Sequence, residues 1–207
     1  MTRRNKAGHI LFFLMKNKGR IPYYIIFSHT TNEHTSNRED KLILRNERAA
    51  DIDAITEVTI AAFRNHPISK HTEQFIINAL RAAGALTISL VAEINGQVVG
   101  HIAFSPVTVS DGAKGWYGLG PVSVLPDYQK QGIGKALINE GLSLLKDMGG
   151  RGCALVGDPN YYKQFGFKNY PGLIHEGIPQ EFFLVLPLTE KIPKGTVVFH
   201  EGFKANG

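Results

Sequence analysis

The stretch Pro121 to Gly134, P-V-S-V-L-P-D-Y-Q-K-Q-G-I-G, constrains this chain more than any other. A β-type run ends there, a turn spaced Q-x-x-G-x-G carries Gln129, Gly132 and Gly134, and an amphipathic helix begins. A glycine inside a helix costs about 1 kcal/mol relative to alanine. Two in the opening turn of an otherwise good helix need a reason. The physical one is close approach of a ligand to bare backbone N–H groups, whose unpaired hydrogens and helix dipole favour phosphate. The sequence therefore predicts a strand–turn–helix unit that cradles a phosphate-bearing ligand.

The rest of the chain reads as one globular body with an appendage. Its 207 residues, 43% of them hydrophobic, suffice for a real core. The single cysteine, Cys153, excludes an intramolecular disulfide and fits a reducing, cytoplasmic setting; it reads as a small core residue on a strand. The formal charge of +5 belongs to the first twenty residues, which hold Arg3, Arg4, Lys6, Lys16, Lys18 and Arg20 and no acid. Without those six the body carries −1, which argues against a nucleic-acid-binding face. The apolar runs His9–Met15 and Ile21–Phe27 fall short of the ~20 residues a membrane span needs. Residues 1–40 thus read as a basic extension and linker, and 41–207 as the domain. A strand or helix packed on the body, and a targeting element, remain open for the extension.

Along the body, Leu42–Arg45 reads as a strand. A helix follows with Asp51 and Asp53 in its opening turn and Ile52, Ile55, Thr59, Ala62 and Phe63 on its inner face. A second helix starts after Thr72 as N-cap and stops at Gly84. Ser89–Ile94 and Gln97–Phe104 flank Asn95-Gly96, the preferred pair for a type I′ hairpin. Trp116–Val124 is a strand whose glycines 115, 118 and 120 invite a bulge or splay. The helix after the cradle carries a stripe of Ile133, Ala136, Leu137, Gly141, Leu144, Leu145 and Met148, and Gly149-Gly150 ends it. Cys153–Val156 is a buried-type strand, Pro159 opens a short helix to Phe165, and Phe182–Leu186 and Thr196–Phe199 are late strands.

Two common phosphate motifs fail on specific residues. A P-loop needs Ser or Thr after Gly134-Lys135, where Ala136 stands. A Rossmann fingerprint needs a third small residue where Leu137 stands, and an early position in the chain. The pattern instead resembles the acetyl-CoA signature [Q/R]-x-x-G-x-[G/A] of the GNAT N-acetyltransferase superfamily. Three further matches join it: the hairpin Ala92–Gly100, the segment Tyr161-Tyr162-Lys163-Gln164-Phe165-Gly166-Phe167, and the order of elements from Leu42 to Leu188. Leu155-Val156-Gly157-Asp158-Pro159 and the ending Val198–Phe203 look like the bacterial YhbS-like branch.

That resemblance implies an α/β (α+β) fold: a mixed, mostly antiparallel sheet splayed between its fourth and fifth strands and flanked by helices. It implies transfer of an acetyl group from acetyl-CoA, as cosubstrate, to a primary amine by direct attack in a ternary complex. The cofactor would be held by Gln129, Lys130, Gln131, Gly132, Ile133, Gly134 and Lys135 at its pyrophosphate. The backbone of Val122 and Val124 would pair with its pantetheine arm, and Ser123 and Asn160 would also bind the cofactor. Tyr162 matches the position of the acid that protonates the departing thiolate. No metal-ligand spacing is present, so no metal is expected. For the base, Glu93, His101, Ser105, Asp158, His66 and His71 are all candidates, as is a water chain. The acceptor, small molecule or protein, is not written in the sequence. No membrane partner is expected, and a homodimer remains open. A catalytically silent acyl-CoA-binding module of the same fold is the alternative reading.

Overall fold

The structure, a computed structural model, describes residues 23–27, 40–67 and 69–207. Its strands are β1 (Tyr23–Phe27), β2 (Asp40–Asn46), β3 (Ile88–Ile94), β4 (Gln97–Val109), β5 (Trp116–Val124), β6 (Gly152–Val156), β7 (Leu173–Ile174), β8 (Phe183–Pro187) and β9 (Gly195–Phe199). The helices are α1 (Ile52–Phe63), α2 (Glu73–Ala82), α3 (Ile133–Asp147) and the single turn α4 (Pro159–Tyr162). The strands run in the order β1-β2-β3-β4-β5-β6-β8, with β9 pairing the far end of β4 and also β7. Every pair on the main path is antiparallel except β5–β6. The mixed, helix-flanked sheet implied by the family resemblance is therefore what forms. β1 continues the sheet by pairing Tyr23–Phe27 with Asp40–Leu44. The expectations for residues 1–22 and 28–39 lie outside the described residues.

The order of layers follows from strand alternation. Leu90 and Ala92 of β3 join Leu42, Leu44, Ile102 and Phe104 beneath Leu137, Ile138 and Leu145 of α3. Val91, between them, faces Ile55 and Val58 of α1 and Ile77 of α2. Because neighbours on a strand point to opposite faces, α3 covers one side of the sheet and α1/α2 the other. A third cluster of Trp116, Phe183, Val185 and Val197 fills the end of the sheet near β9. The Asn95-Gly96 turn has positive φ at both positions, 51° and 80°, as a type I′ hairpin requires.

Two local expectations are corrected. Met148 does not lie on the buried stripe of α3: it is 57% exposed, and Ile138 is buried instead. Gly150 N–H bonds Leu145 O and Gly149 N–H bonds Lys146 O, a Schellman ending that turns the chain away from the sheet at Met148. Thr72 occupies the N-cap position of α2, but its side chain makes no capping bond and its backbone is already helical. Gly141 is glycine for a packing reason, since a Cβ there would overlap the ring of Phe104.

The feature that shapes the site is the brevity of the β5–β6 pairing. It covers only Trp116–Gly118 against Gly152–Ala154. Beyond Gly118 the two strands part, and a register shift opposite Ile102–Phe104 bends β5 further. Counted from β2, these are the fourth and fifth strands, where the splay was expected.

Candidate active site

One bank of the opening is β5. Leu125 N–H bonds Val99 O on β4. Since N–H direction alternates along a strand, Ser123 N–H also points to β4, while those of Val122 and Val124 point into the gap. The Ser123 side chain faces the opposite layer and lies 3.1 Å from Thr59 Oγ1 on α1. Ser123 thus ties the gap-lining segment of β5 to α1.

The cradle begins at the end of β5. A short turn, Pro126–Tyr128, leads to Gln129, whose Nε2 donates to Val124 O at 3.0 Å. Gln131 Nε2 donates to Asp127 O at 2.9 Å. Both side chains brace the loop, so these positions offer backbone to a ligand. Lys130 (φ +61°) and Gly132 (φ +86°) take left-handed backbone, the geometry that gathers successive N–H groups into an anion-binding concavity. The helical ladder of α3 starts with Ala136 N–H to Gly132 O at 2.9 Å. The N–H groups of Ile133, Gly134 and Lys135 precede it and have no acceptor within the helix. Ile133 buries its side chain in the core, while Lys130 and Lys135 are exposed cations beside the mouth.

The other bank is β6 and α4. Asp158 caps α4 by accepting from Asn160 N–H at 2.8 Å. That fixes Asp158 as a structural acceptor. Tyr161 reaches back across the opening: its hydroxyl lies 3.4 Å from where a Gly134 Cβ would stand, with Val124 Cγ2 at 3.7 Å. The glycine is where the two banks meet. Tyr162 packs edge-on against Tyr161 and Phe167 at 5.0 and 5.9 Å between centroids. Its ring lies over Gly157, where a Cβ would come within 2.5 Å of Cε2. Burial, then the neighbouring Tyr161 and Cys153, hold the Tyr162 phenol well above its ordinary value. It stays protonated through neutral pH, the form an acid must have. Asn160 also lines a 470 Å³ hollow with Lys163, Lys168 and Gln180, none of whose lining residues belongs to the cradle.

The base candidates separate cleanly. Glu93 is bound by Arg45, whose guanidinium also holds Asp51. His66 is exposed with its ring tilted against Phe63, and His71 is exposed in left-handed backbone. Ser105 is fully buried with no partner among the described residues. His101 is fully buried on the α1 side of β4, directly across from Ser123. Glu47, Arg81, Ser89 and Thr59 surround this layer, and sequence reasoning missed them; they come from four elements and form no motif. Cys153 is buried in the core, and burial raises its thiol so far that it is no nucleophile at neutral pH. Among the described residues no group of His, Cys, Asp and Glu is placed to hold a metal, and no helix is long and apolar enough to cross a membrane.

Residues 52–167 match the family model described as Acetyltransferase (GNAT) family. Over 110 residues the chain is 37% identical to the uncharacterized N-acetyltransferase YhbS of Escherichia coli, a match spanning 53% of this chain and 66% of the relative, just under two thirds of its length. A crystal structure of a GNAT family acetyltransferase from Brucella melitensis, in complex with acetyl-CoA, is 51% identical with a TM-score of 0.70, covering 78% of this chain and 97% of that one. The crystal structure of Escherichia coli YhbS in complex with CoA is 31% identical with a TM-score of 0.74, covering 84% and 98%.

Proposed function

This chain belongs to the GNAT acetyltransferase family, and on that footing we propose that it is an acetyl-CoA-dependent N-acetyltransferase acting on a primary amine. One observation carries the reading. Beyond Gly118, where β5 parts from β6, the gap-facing amides of Val122 and Val124 run through one loop into the unpaired amides at the mouth of α3. The amides at the mouth of α3 suit a pyrophosphate. Those of Val122 and Val124 suit an extended amide chain that adds to β5 like a strand. The complexes of the two relatives with acetyl-CoA and CoA support the same ligand here.

In this reading Gln129 and Gln131 brace the loop while its backbone, from Lys130 to Lys135, holds the diphosphate. The Val122 or Val124 amide receives the developing oxyanion, a donor worth about 3 kcal/mol at such a position. The amine attacks the thioester carbonyl in a ternary complex, and Tyr162 protonates the departing thiolate. Cys153 takes no part. The acceptor enters on the α1/α2 side, and the chain works in the cytoplasm. The test is thiol release from acetyl-CoA across a panel of small amines and peptide N-termini. Steady turnover with any acceptor is the expected result. CoA binding without turnover on any acceptor would favour a silent binding module.

A further inference from the structure

The layer between the sheet and α1/α2 contains a chain of polar groups that packing alone does not require. Arg81 of α2 grips Glu47 through Nε and Nη2 at 2.8 and 2.9 Å. Glu47 Oε2 lies 2.5 Å from Ser89 Oγ, and Ser89 Oγ lies 2.8 Å from His101 Nε2. His101 Nε2 stands 3.7 Å from the same Glu47 oxygen, too far for a direct hydrogen bond. Burial opposes ionisation of Glu47, but Arg81, His101 and Ser89 outweigh it and keep the carboxyl well below its ordinary value. An ionised carboxylate only accepts, so Ser89 must donate to Glu47. The Ser89 oxygen is then left to accept from His101, which puts the ring proton on Nε2. Nδ1 becomes a bare lone pair, and it is fully buried with no partner among the described residues.

A buried acceptor left without a donor is destabilising, and the relay commits further interactions to impose that tautomer. His101 is paired on β4 with Ser123, the residue that lies between Val122 and Val124 on β5. Burial holds the imidazole below its ordinary value, and Glu47 draws it partly back up. The ring is therefore neutral at rest but has a counter-charge ready if it is protonated. Glu47 and Arg81 are the charged groups of this relay; Arg45 of β2, Glu93 of β3 and Asp51 at the start of α1 form a separate paired cluster, and Glu73 of α2 accepts from Ser69 with its second oxygen buried. The buried face of α1 presents Ile55, Val58 and Thr59, and β5 presents Ser123, none of them charged.

We propose that His101 Nδ1 receives the proton shed by the acceptor ammonium, through one intervening water, with Ser89 and Glu47 as the positioning residues that fix its tautomer. The inference rests on the acetyltransferase reading. The ammonium gives one proton by way of the water to Nδ1, forming an imidazolium balanced by Glu47. The freed amine lone pair attacks the thioester carbonyl. The C–N bond forms, the C–S bond breaks, and the thiolate takes the proton of Tyr162. The surplus proton on nitrogen restores the phenol, and His101 returns its own proton to solvent through the same water.

His101→Gln tests this, because the amide retains an N–H for Ser89 but removes the basic Nδ1. CoA affinity by calorimetry is expected to hold, kcat/KM for the best amine to fall roughly 10²-fold, and the acid limb of its pH profile to vanish. Turnover with an unchanged pH profile would overturn the proposal while leaving the acetyltransferase reading intact. Failure of the wild-type chain to bind CoA would sink that reading instead. Nitrogen NMR of the His101 imidazole decides the matter without activity, should the variant not fold or no amine be accepted. A neutral ring protonated at Nε2 near neutral pH, turning over to the other tautomer in Ser89→Ala, is expected. A wild-type ring protonated at Nδ1, or charged, excludes the role.

Discussion

Gly134→Ala separates the demands of the helix from those of the ligand. The substituted methyl would stand 3.4 Å from the Tyr161 hydroxyl and 3.7 Å from Val124 Cγ2, ordinary contact distances. Nothing in the unliganded protein resists it. Alanine is the better residue in a helix by up to about 1 kcal/mol, so the variant should be more stable than its parent. For a domain of this size that is a rise of roughly 2–4 °C in Tm. The signature admits alanine as well as glycine at this position, so the methyl alone should leave CoA affinity near parental. Gly134→Glu instead puts a carboxylate at the mouth between β5 and α4, where the diphosphate would approach the amides of α3. Losing one charge-assisted hydrogen bond there costs about 1.5–3 kcal/mol, or roughly 10- to 100-fold in Kd. Differential scanning calorimetry without ligand and titration calorimetry with CoA measure the two effects. A raised Tm with near-parental Kd is expected for alanine, and a weakened Kd for glutamate. Parental CoA affinity in Gly134→Glu would refute the cradle, since the carboxylate would then be standing where no phosphate comes.

Three further outcomes follow from the same geometry. Tyr162→Phe should lower kcat by about 10²-fold or more while CoA affinity stays put; a parental kcat in a quenched-flow or thiol-release assay would return the ring to packing alone. Gly157→Ala should lower kcat without touching the cradle, because its Cβ would come within 2.5 Å of the Tyr162 ring and must push it aside; an unaltered kcat would show that the ring's placement does not matter. Glu140 is pushed up to about 7, by burial first and then by Asp147. Its folded state holds the proton more tightly than the unfolded one, so its contribution is complete below the ordinary carboxyl range and is lost as pH rises through 7. Glu140→Gln should therefore stabilise the protein at mildly alkaline pH, by on the order of 1 kcal/mol after solvent screening, and leave it unchanged near pH 4; denaturant melts at the two pH values check the sign.

The parts of this molecule that were legible in the sequence are those in which backbone does the work. Asn95-Gly96 specifies a type I′ turn because both residues must take positive φ, and they do. Gly132 takes left-handed backbone at the start of α3, which glycine alone adopts freely, so the turn that opens this helix was visible in a single chain. Met148 was misplaced because periodicity alone does not know where a helix leaves its sheet, and the Schellman turn at Gly149 took it off the stripe. β7 is two residues long and owes its existence to β9, so no local pattern could have carried it.

The acceptor side obeys a different rule. Its polar layer is assembled from Glu47 after β2, Arg81 on α2, Ser89 on β3 and His101 on β4, and each would be unremarkable by itself. Only the pairing of β2, β3 and β4, with α2 laid across them, brings the four into hydrogen-bonding range. This division has a chemical origin. In the proposed reading the cofactor meets the invariant atoms of the main chain, so its signature is short and local. An acceptor and a proton are handled by side chains, which different chains can supply from different elements. If the relay at His101 is the proton's route, the groups that handle acceptor and proton lie on the opposite face of the sheet from α3, apart from the backbone cradle. Thr59 and Ser123 then form a buried hydroxyl contact through which that layer touches β5. Removing it by Thr59→Val should loosen that coupling, raising KM for the amine more than Kd for CoA.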